Sequence, residues 1–197
     1  MDPRTIGYVF LDRDGVLNRK MPEGVYVTER ARFEWLPGAI EAVARMNRAR
    51  LTVILVTNQR GIALGLLSER QLELIHSRMA TDLAARGAHL DAIFFCPHDR
   101  GVCDCRKPGV GLFRQAFQRF PEANPRNSVV IGDSLSDIRA GQQLGMKTIF
   151  IEGEPERQKP GSGLAAEEAD LTGRSLLDIV ESYFGLAGGI DSSALPL

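Results

Sequence analysis

An apolar segment near the N-terminus ends abruptly in charged residues, and this pattern limits the folds open to the chain. Residues 8–11 (YVFL) are followed by Asp12 and Asp14, and Gly15 comes directly after them. A short apolar run that ends in a glycine-containing turn is typical of a buried strand opening into a loop. Because side chains alternate along an extended segment, Asp12 and Asp14 project together while Arg13 points away. Two carboxylates on one side can hold a divalent cation between them.

Strand and helix patterns alternate along the rest of the chain. A second Leu/Val/Ile run covers residues 51–56, as in central parallel strands that are buried on both faces. Ser68 and Gln71 form a capping box that begins a helix reaching about residue 86. Further strands are predicted at residues 92–95, 128–131, 147–151 and 169–172, and further helices after Pro37-Gly38 and at residues 111–120, 136–144 and 175–184. This alternation predicts an α/β fold with a mainly parallel sheet.

Length and composition fit one globular domain. The 197 residues can bury a substantial core, and 44% hydrophobic with 25% charged residues excludes a disordered chain. The formal net charge is -1 without a long basic or acidic run, which argues against nucleic acid or an anionic membrane as partner. No apolar run approaches about 18 residues and no signal peptide is recognisable, so we expect a cytoplasmic protein. We expect a monomer with one domain at residues 1–185 and a flexible tail at 186–197.

Polar side chains follow three of the predicted strands. Thr57 and Asn58 come directly after the second strand, and Asp133 follows the fourth. The carboxyl ends of parallel strands lie along one edge of a sheet, so these residues join Asp12 and Asp14 in one crevice. A strand end with an ordinary turn is the alternative explanation for the pair at 57–58.

Asp137 adds a fourth carboxylate to this crevice. It lies in the first turn of the next helix, for which Ser136 is the expected cap, and it can lean back toward the crevice. Helix capping and complementarity to the helix dipole are the alternative roles for Asp133 and Asp137. Carboxylates gathered in one cleft repel each other unless a cation is bound, and oxygen ligands favour Mg²⁺ over zinc.

Four short motifs resemble, in chain order, those of the haloacid dehalogenase superfamily of phosphohydrolases. The motifs are FLDRDGV, VTNQ, CRKPG and GDSLSD, and the resemblance around them covers residues 6 to about 151. The longer stretches LDRDGVLN, VTNQRGIA, and CPH followed by CDCRKPG are similar to the heptose 1,7-bisphosphate phosphatases and the related histidinol-phosphate phosphatases. The resemblance implies a Rossmann-like, doubly wound parallel sheet. The gaps between the motifs leave no room for a large cap domain.

The resemblance also implies roles for individual residues. Asp12 is the expected nucleophile, and Asp14 is expected to protonate the leaving oxygen and then to activate water. The Thr57 hydroxyl, the backbone amide of Asn58 and the Lys107 ammonium are expected to bind the transferred phosphate.

The same resemblance implies a Mg²⁺ site and substrate contacts. Asp12, the backbone carbonyl of Asp14, and Asp133 are the expected ligands, and Asp137 is expected to order metal-bound water. Arg106 is a candidate ligand for a second phosphate or a sugar hydroxyl. Further candidates for substrate binding lie in the loops around the open site: Asn18, Gln59 and Arg60.

A second group of metal-ligating residues lies in a ten-residue window that contains every cysteine of the chain: Cys96, His98, Cys103 and Cys105. Three thiolates and an imidazole suit a tetrahedral zinc ion, and four protein ligands leave no position open for catalysis. We therefore expect a structural zinc that staples this loop and positions Arg106 and Lys107. Free thiols and a disulfide are the alternatives, and the odd number of cysteines in a cytoplasmic protein argues against the disulfide.

These features together predict a Mg²⁺-dependent phosphatase of small sugar phosphates. By the resemblance, it removes the C7 phosphate of a heptose 1,7-bisphosphate in nucleotide-activated heptose biosynthesis. Histidinol-phosphate phosphatase activity is one alternative, and a catalytically silent, zinc-stabilised scaffold is another. A scaffold would not need Asp12, Asp14, Lys107 and Asp133 together. A polynucleotide end phosphatase would carry a basic face, which the charge balance does not provide.

Overall fold

A six-stranded parallel sheet organises the chain in the computed structural model, which describes residues 2–158 and 160–187. The strands are β1 (Tyr8–Leu11), β2 (Thr52–Asn58), β3 (Ala92–Cys96), β4 (Ser128–Gly132), β5 (Lys147–Ile151) and β6 (Leu171–Gly173). The helices are α1 (Ala39–Arg48), α2 (Glu69–Ala84), α3 (Gly111–Arg119), α4 (Leu135–Leu144), α5 (Ser162–Glu168) and α6 (Leu176–Ser182). The predicted α/β class and parallel sheet are confirmed.

The strand order is β3-β2-β1-β4-β5-β6, so the first strand of the chain lies in the middle of the sheet. Leu11 at the end of β1 lies opposite Leu55 of β2 and Ile131 of β4. The chain winds in one direction from β1 to β3 and in the other from β4 to β6. Ligands of open α/β sheets bind at such a reversal, outside the carboxyl ends of the strands.

Helices cover both faces of the sheet and form two main cores. Val9 and Leu11 of β1 face one core, whereas Phe10 faces the other and packs against Phe113 of α3, with the ring centroids 5.4 Å apart. All three β1 residues are almost fully buried. Because neither face of the strand meets water, every position of β1 favours an apolar side chain, which explains the continuous run in the sequence.

Most predicted elements have their expected place, and the capping box of α2 is confirmed by reciprocal hydrogen bonds between Ser68 and Gln71. The cap predicted for α4 was wrong. This helix begins at Leu135 with Ser134 as its N-cap, and Asp137 closes a capping box with that residue. Ser134 and Ser136 are both suitable N-cap residues. Because β4 ends at Gly132 and α4 begins two residues after Asp133, Ser134 takes the N-cap position.

Two features near the C-terminus were not predicted: a short helix, α5, and hydrogen bonds that hold Leu186 at the start of the predicted tail. Helix α5 was not predicted, because its seven residues follow Gly161 and carry no clear apolar periodicity. At the start of the predicted tail, the Leu186 carbonyl accepts a hydrogen bond from Arg45 (3.0 Å), and the Leu186 amide donates one to Val180 (3.1 Å). The remainder of that tail, residues 188–197, lies outside the described residues.

Among the described helices, none combines the length and the apolar character needed to cross a bilayer.

Candidate active site

The loop after β1 presents Asp12 at the carboxyl edge of the sheet. The Asp12 amide continues the strand ladder by donating to the Ile131 carbonyl of β4 (3.1 Å). The chain then turns sharply at Gly15, which has a φ of +94°. A side chain on Gly15 would also overlap the Asp133 carboxylate, so this position favours glycine for both conformation and space. The tight turn brings the β1 loop directly against the loop after β4.

Three buried carboxylates converge between β1 and β4. Asp12, Asp133 and Asp137 each offer one oxygen, and these atoms lie within 4.8 Å of one another. A side chain on Gly132 would collide with Asp137, so glycine at this position permits the close approach of the third carboxylate. Negative charges this close together in a buried site require cations. The carboxylate oxygens therefore fit a hard divalent cation such as Mg²⁺.

Lys107 supplies a positive charge to this cluster. Its buried ammonium lies 3.0 Å from Asp12 Oδ1 and 2.6 Å from Asp137 Oδ1, and it donates to the Val56 carbonyl (2.6 Å). The Asn58 side chain accepts from the Lys107 amide (3.0 Å) and donates to its carbonyl (3.1 Å), which fixes the backbone. Burial opposes the charged form, but the two carboxylates outweigh it and raise the pKa of Lys107 above its ordinary value. The ammonium is therefore charged at neutral pH.

Asp14 projects beside this cluster and is held by three side chains. Arg13 Nη2 donates to both of its carboxylate oxygens (3.0 and 2.9 Å), Asn18 donates to Oδ1 (3.0 Å), and Gln59 donates to Oδ2 (3.2 Å). Burial opposes ionisation, but the charge of Arg13 and these hydrogen bonds outweigh it and hold the pKa of Asp14 below its ordinary value. Without a bound anion, Asp14 is therefore a carboxylate at neutral pH.

The predicted substrate-binding residues fall into two groups in the structure. Asn18 and Gln59 are buried and direct their amide nitrogens to Asp14. Arg60 lies in the loop after β2 and pairs with Asp99 (Nε to Oδ1, 2.5 Å). Asp99 belongs to residues 96–105, which contain the three cysteines. Arg106 is partly buried, and its Nη1 atom has no hydrogen-bond partner among residues 2–158 and 160–187. Among the predicted substrate-binding residues, Arg60 and Arg106 are thus the two that carry a positive charge.

Two buried cations at the site were not identified as functional from the sequence. Lys20 contacts the Asp133 carboxylate through its ammonium, and its own carbonyl accepts a hydrogen bond from Arg157 (2.6 Å). Arg13 was expected to point away from both aspartates, but its buried guanidinium donates to both carboxylate oxygens of Asp14, because β1 ends at Leu11 and strand alternation does not continue over residues 12–14. A single lysine in a polar loop gives no sequence signal for burial, and neither does an arginine between two acids.

The four predicted zinc ligands form a compact cluster after β3. The sulfur of Cys96 lies 3.1 Å from that of Cys105 and 3.5 Å from that of Cys103, and His98 Nδ1 lies 3.2 Å from the Cys105 sulfur. None of the three cysteines forms a disulfide. All four ligand atoms lie within 4.8 Å of one another, a spacing that fits one tetrahedral zinc ion.

The thiols of this cluster differ in acidity. Burial raises the pKa of Cys96 and of Cys105 above the ordinary value of a thiol. Burial acts on Cys103 in the same direction, but hydrogen bonds from Cys105, Cys96 and the Arg106 amide lower its pKa to about 7. At neutral pH one thiolate is therefore accessible for a first metal–sulfur bond, and metal binding must release the protons of the other two thiols.

We expect native mass spectrometry to find one zinc ion per chain in the wild-type protein and none in Cys103→Ser. Loss of one of four ligands should weaken zinc binding at least about 100-fold, which corresponds to about 3 kcal/mol. Asp104→Asn is the matched control, because Asp104 lies between two ligands with its side chain exposed. It should retain the zinc. A folded wild-type chain without zinc would contradict the assignment of this cluster.

Comparison with known sequences finds relatives along most of the chain. The HAD-hydrolase-like family profile matches residues 104–179. D-glycero-alpha-D-manno-heptose-1,7-bisphosphate 7-phosphatase of Mycobacterium bovis is 43% identical over 137 residues, which cover 69% of this chain and 72% of the relative. D-glycero-beta-D-manno-heptose-1,7-bisphosphate 7-phosphatase of Bordetella bronchiseptica is 39% identical over 178 residues, which cover 83% and 96%.

Comparison with solved structures finds the same kind of protein. The D,D-heptose 1,7-bisphosphate phosphatase of Bordetella bronchiseptica, crystallised with magnesium and phosphate, superposes with a TM-score of 0.83. The structural alignment has 33% identity and covers 92% of this chain and all of the other. The two chains therefore share one fold over nearly their whole length.

Proposed function

The chain belongs to the HAD-like phosphatases of the D-glycero-D-manno-heptose-1,7-bisphosphate 7-phosphatase family, and we propose that it removes the C7 phosphate through an aspartyl-phosphate intermediate. It is a phosphoric monoester hydrolase that acts on a sugar bisphosphate. The convergence of Asp12, Asp133 and Asp137 around the Lys107 ammonium at the sheet edge carries this proposal.

Asp12 is the nucleophile in this proposal. A bond forms between its carboxylate and phosphorus as the bond from phosphorus to the sugar oxygen breaks. The Lys107 ammonium lies 3.0 Å from Asp12 Oδ1 and is within reach of a phosphoryl oxygen there. The Thr57 hydroxyl and the Asn58 amide at the end of β2 bind the other phosphoryl oxygens. These donors are fixed before the substrate arrives, which favours the transition state over the solvated ester.

Asp14 transfers the protons of both steps. The bound phosphate ester is an anion beside Asp14, and like charge raises the pKa of the carboxyl so that it can hold a proton. Asp14 passes this proton to the departing sugar oxygen, then takes one from the water that attacks the aspartyl-phosphate. Its partial exposure, with a quarter of the side chain accessible, supports contact with both the sugar and water.

The metal sites support this chemistry. Asp12, Asp133 and the backbone carbonyl of Asp14 are the proposed Mg²⁺ ligands, and Asp137 lies beside them to order metal-bound water. When bound, Mg²⁺ neutralises charge on the phosphate and orients it for in-line attack. The zinc ligands clamp the loop that ends in Arg106 and Lys107. Arg60 and Arg106 are the proposed contacts for the second phosphate.

Phosphate release in the presence of Mg²⁺ tests the proposed function. The substrates are the α and β anomers of D-glycero-D-manno-heptose 1,7-bisphosphate and histidinol phosphate at matched concentrations. We expect kcat/KM for one heptose anomer to exceed that for histidinol phosphate at least about 100-fold, because only the bisphosphate offers a second anion to the arginines. Preference for histidinol phosphate would overturn the substrate and leave the chemistry standing. Hydrolysis of none of them would favour the silent scaffold.

A further inference from the structure

Arg13 is the largest of the fully buried side chains in the described structure, with an exposed fraction of 1%. Arginine is almost never fully buried unless it is paired, because removing its charge from water costs several kcal/mol. Its Nε and Nη1 atoms have no hydrogen-bond partner among the described residues. The guanidinium is therefore held at this place by its ion pair with Asp14 and not by a network of its own.

The contact between the two residues fixes the orientation of the carboxylate. Arg13 Nη2 donates to both oxygens of Asp14, at 3.0 and 2.9 Å, while Asn18 binds Oδ1 and Gln59 binds Oδ2. These three donors come from three different segments: the β1 loop, the segment after it, and the loop after β2. Of the three donors Arg13 is the cation, so its hydrogen bonds join two opposite charges and are the strongest.

The surroundings of Arg13 keep this charge directed at Asp14. His76 of α2 is buried beside it, and burial together with the charge of Arg13 lowers the pKa of His76 to about 4. The imidazole is therefore neutral at pH 7 and adds no second positive charge. Its ring packs against Phe95 of β3 with the centroids 6.2 Å apart, which holds the neutral imidazole in place. In such a site an ion pair is strong and geometrically restrictive.

We propose that Arg13 is a positioning residue for proton transfer: its buried guanidinium holds the Asp14 carboxylate in the orientation that delivers a proton to the leaving oxygen. The inference rests on the proposed role of Asp14. A sugar oxygen is a poor leaving group and needs that proton as its bond to phosphorus breaks, whereas p-nitrophenolate leaves without one. Loss of Arg13 should therefore slow the hydrolysis of sugar phosphates more than the cleavage of p-nitrophenyl phosphate.

The test compares wild type, Arg13→Met, Asp14→Asn and the double variant on two substrates. On the heptose bisphosphate, we expect Arg13→Met to lower kcat about 100-fold and to change KM less than about threefold. On p-nitrophenyl phosphate, we expect Arg13→Met to slow the initial burst of p-nitrophenol less than about fivefold relative to wild type. The steady-state rate that follows should be low, because hydrolysis of the aspartyl-phosphate also needs Asp14. Adding Arg13→Met to Asp14→Asn should change neither substrate's rate further, because the positioned group is already gone.

Two further variants separate positioning from folding. Arg13→Lys keeps the charge without the paired hydrogen bonds, and we expect about a tenfold loss with the same dependence on the leaving group. Arg4→Met is the matched control, since Arg4 forms an exposed ion pair with Asp2 far from the site, and its rates should equal those of wild type. Thermal melting of every variant shows whether it is folded, and Arg13→Lys decides the question if Arg13→Met unfolds.

The outcomes distinguish this inference from the proposed function. Equal slowing of the burst and of sugar phosphate turnover would overturn the role of Arg13, and so would an undiminished effect in the Asp14→Asn background. If wild type cleaves p-nitrophenyl phosphate but not the heptose bisphosphate, the proposed function fails. The ratio of burst to steady-state rate then still decides the role of Arg13, because the second step also needs Asp14.

Discussion

Asp12→Asn is expected to abolish phosphate release, with kcat falling at least about 10⁴-fold while the chain stays folded. The amide oxygen of asparagine is a poor nucleophile, so the first covalent step has no effective substitute. The fold should persist because the Asp12 amide hydrogen bond to Ile131 belongs to the backbone, and Lys107 keeps its ion pair with Asp137. Phosphate release with the heptose bisphosphate measures the loss, and circular dichroism with zinc content checks the fold.

The matched control for this variant is Asp82→Asn on α2. Asp82 pairs with Arg78 outside the carboxylate cluster, so the same change of charge should leave kcat unaltered. Wild-type protein quenched in acid during turnover should carry a phosphoryl group on the peptide with Asp12, and the asparagine variant should carry none. Turnover of Asp12→Asn within tenfold of wild type would remove Asp12 as the nucleophile.

Lys107→Met is expected to reduce both activity and stability. The ammonium touches Asp12 and Asp137 and is 2% exposed, so its removal leaves two buried carboxylates without this cation. Breaking a buried ion pair from one side costs about 3–5 kcal/mol, so we expect a loss of that size in the free energy of unfolding without added Mg²⁺. Loss of one fixed cation beside the transferred phosphate should lower kcat/KM about 10³-fold.

Urea unfolding with and without Mg²⁺ measures the first effect, and phosphate release measures the second. Added Mg²⁺ should restore part of the stability of Lys107→Met, since a bound cation again neutralises the carboxylates. Lys147→Met is the control, because Lys147 pairs with Asp170 at the start of β5 and lies away from the cluster. Wild-type stability in Lys107→Met would mean that the carboxylates are neutralised in another way.

Much of this arrangement could be predicted from local patterns. The apolar runs before Asp12 and before Asp133 are buried parallel strands. Because parallel strands end at the same edge of a sheet, this strand type alone predicts that the two aspartates lie close together. The clustering of Cys96, Cys103 and Cys105 was equally predictable, because thiols this close in sequence can reach one metal ion through a single local loop. Short-range sequence patterns and sheet geometry are therefore sufficient to predict the residues at the centre of the site.

The surroundings of the site could not be predicted in this way. Lys20 contacts Asp133 only because the segment after β1 folds back over the sheet edge, and nothing in its polar sequence indicates that path. Arg13 is buried near His76, which α2 supplies from a distant part of the chain. Charged side chains buried by tertiary packing leave no periodic pattern in the sequence.

The central position of β1 also determines when the protein becomes an enzyme during its synthesis. Strand β1 leaves the ribosome before β4, yet Leu11 pairs with Ile131, and Asp133 and Asp137 follow that partner. Residues 96–105 with the Cys/His cluster also precede β4, so they are synthesised while one edge of β1 is still open. Such long-range parallel pairing folds slowly and exposes apolar edges in the meantime. Docking of β4 thus closes that edge and brings Asp133 beside Asp12, and α4 then adds Asp137.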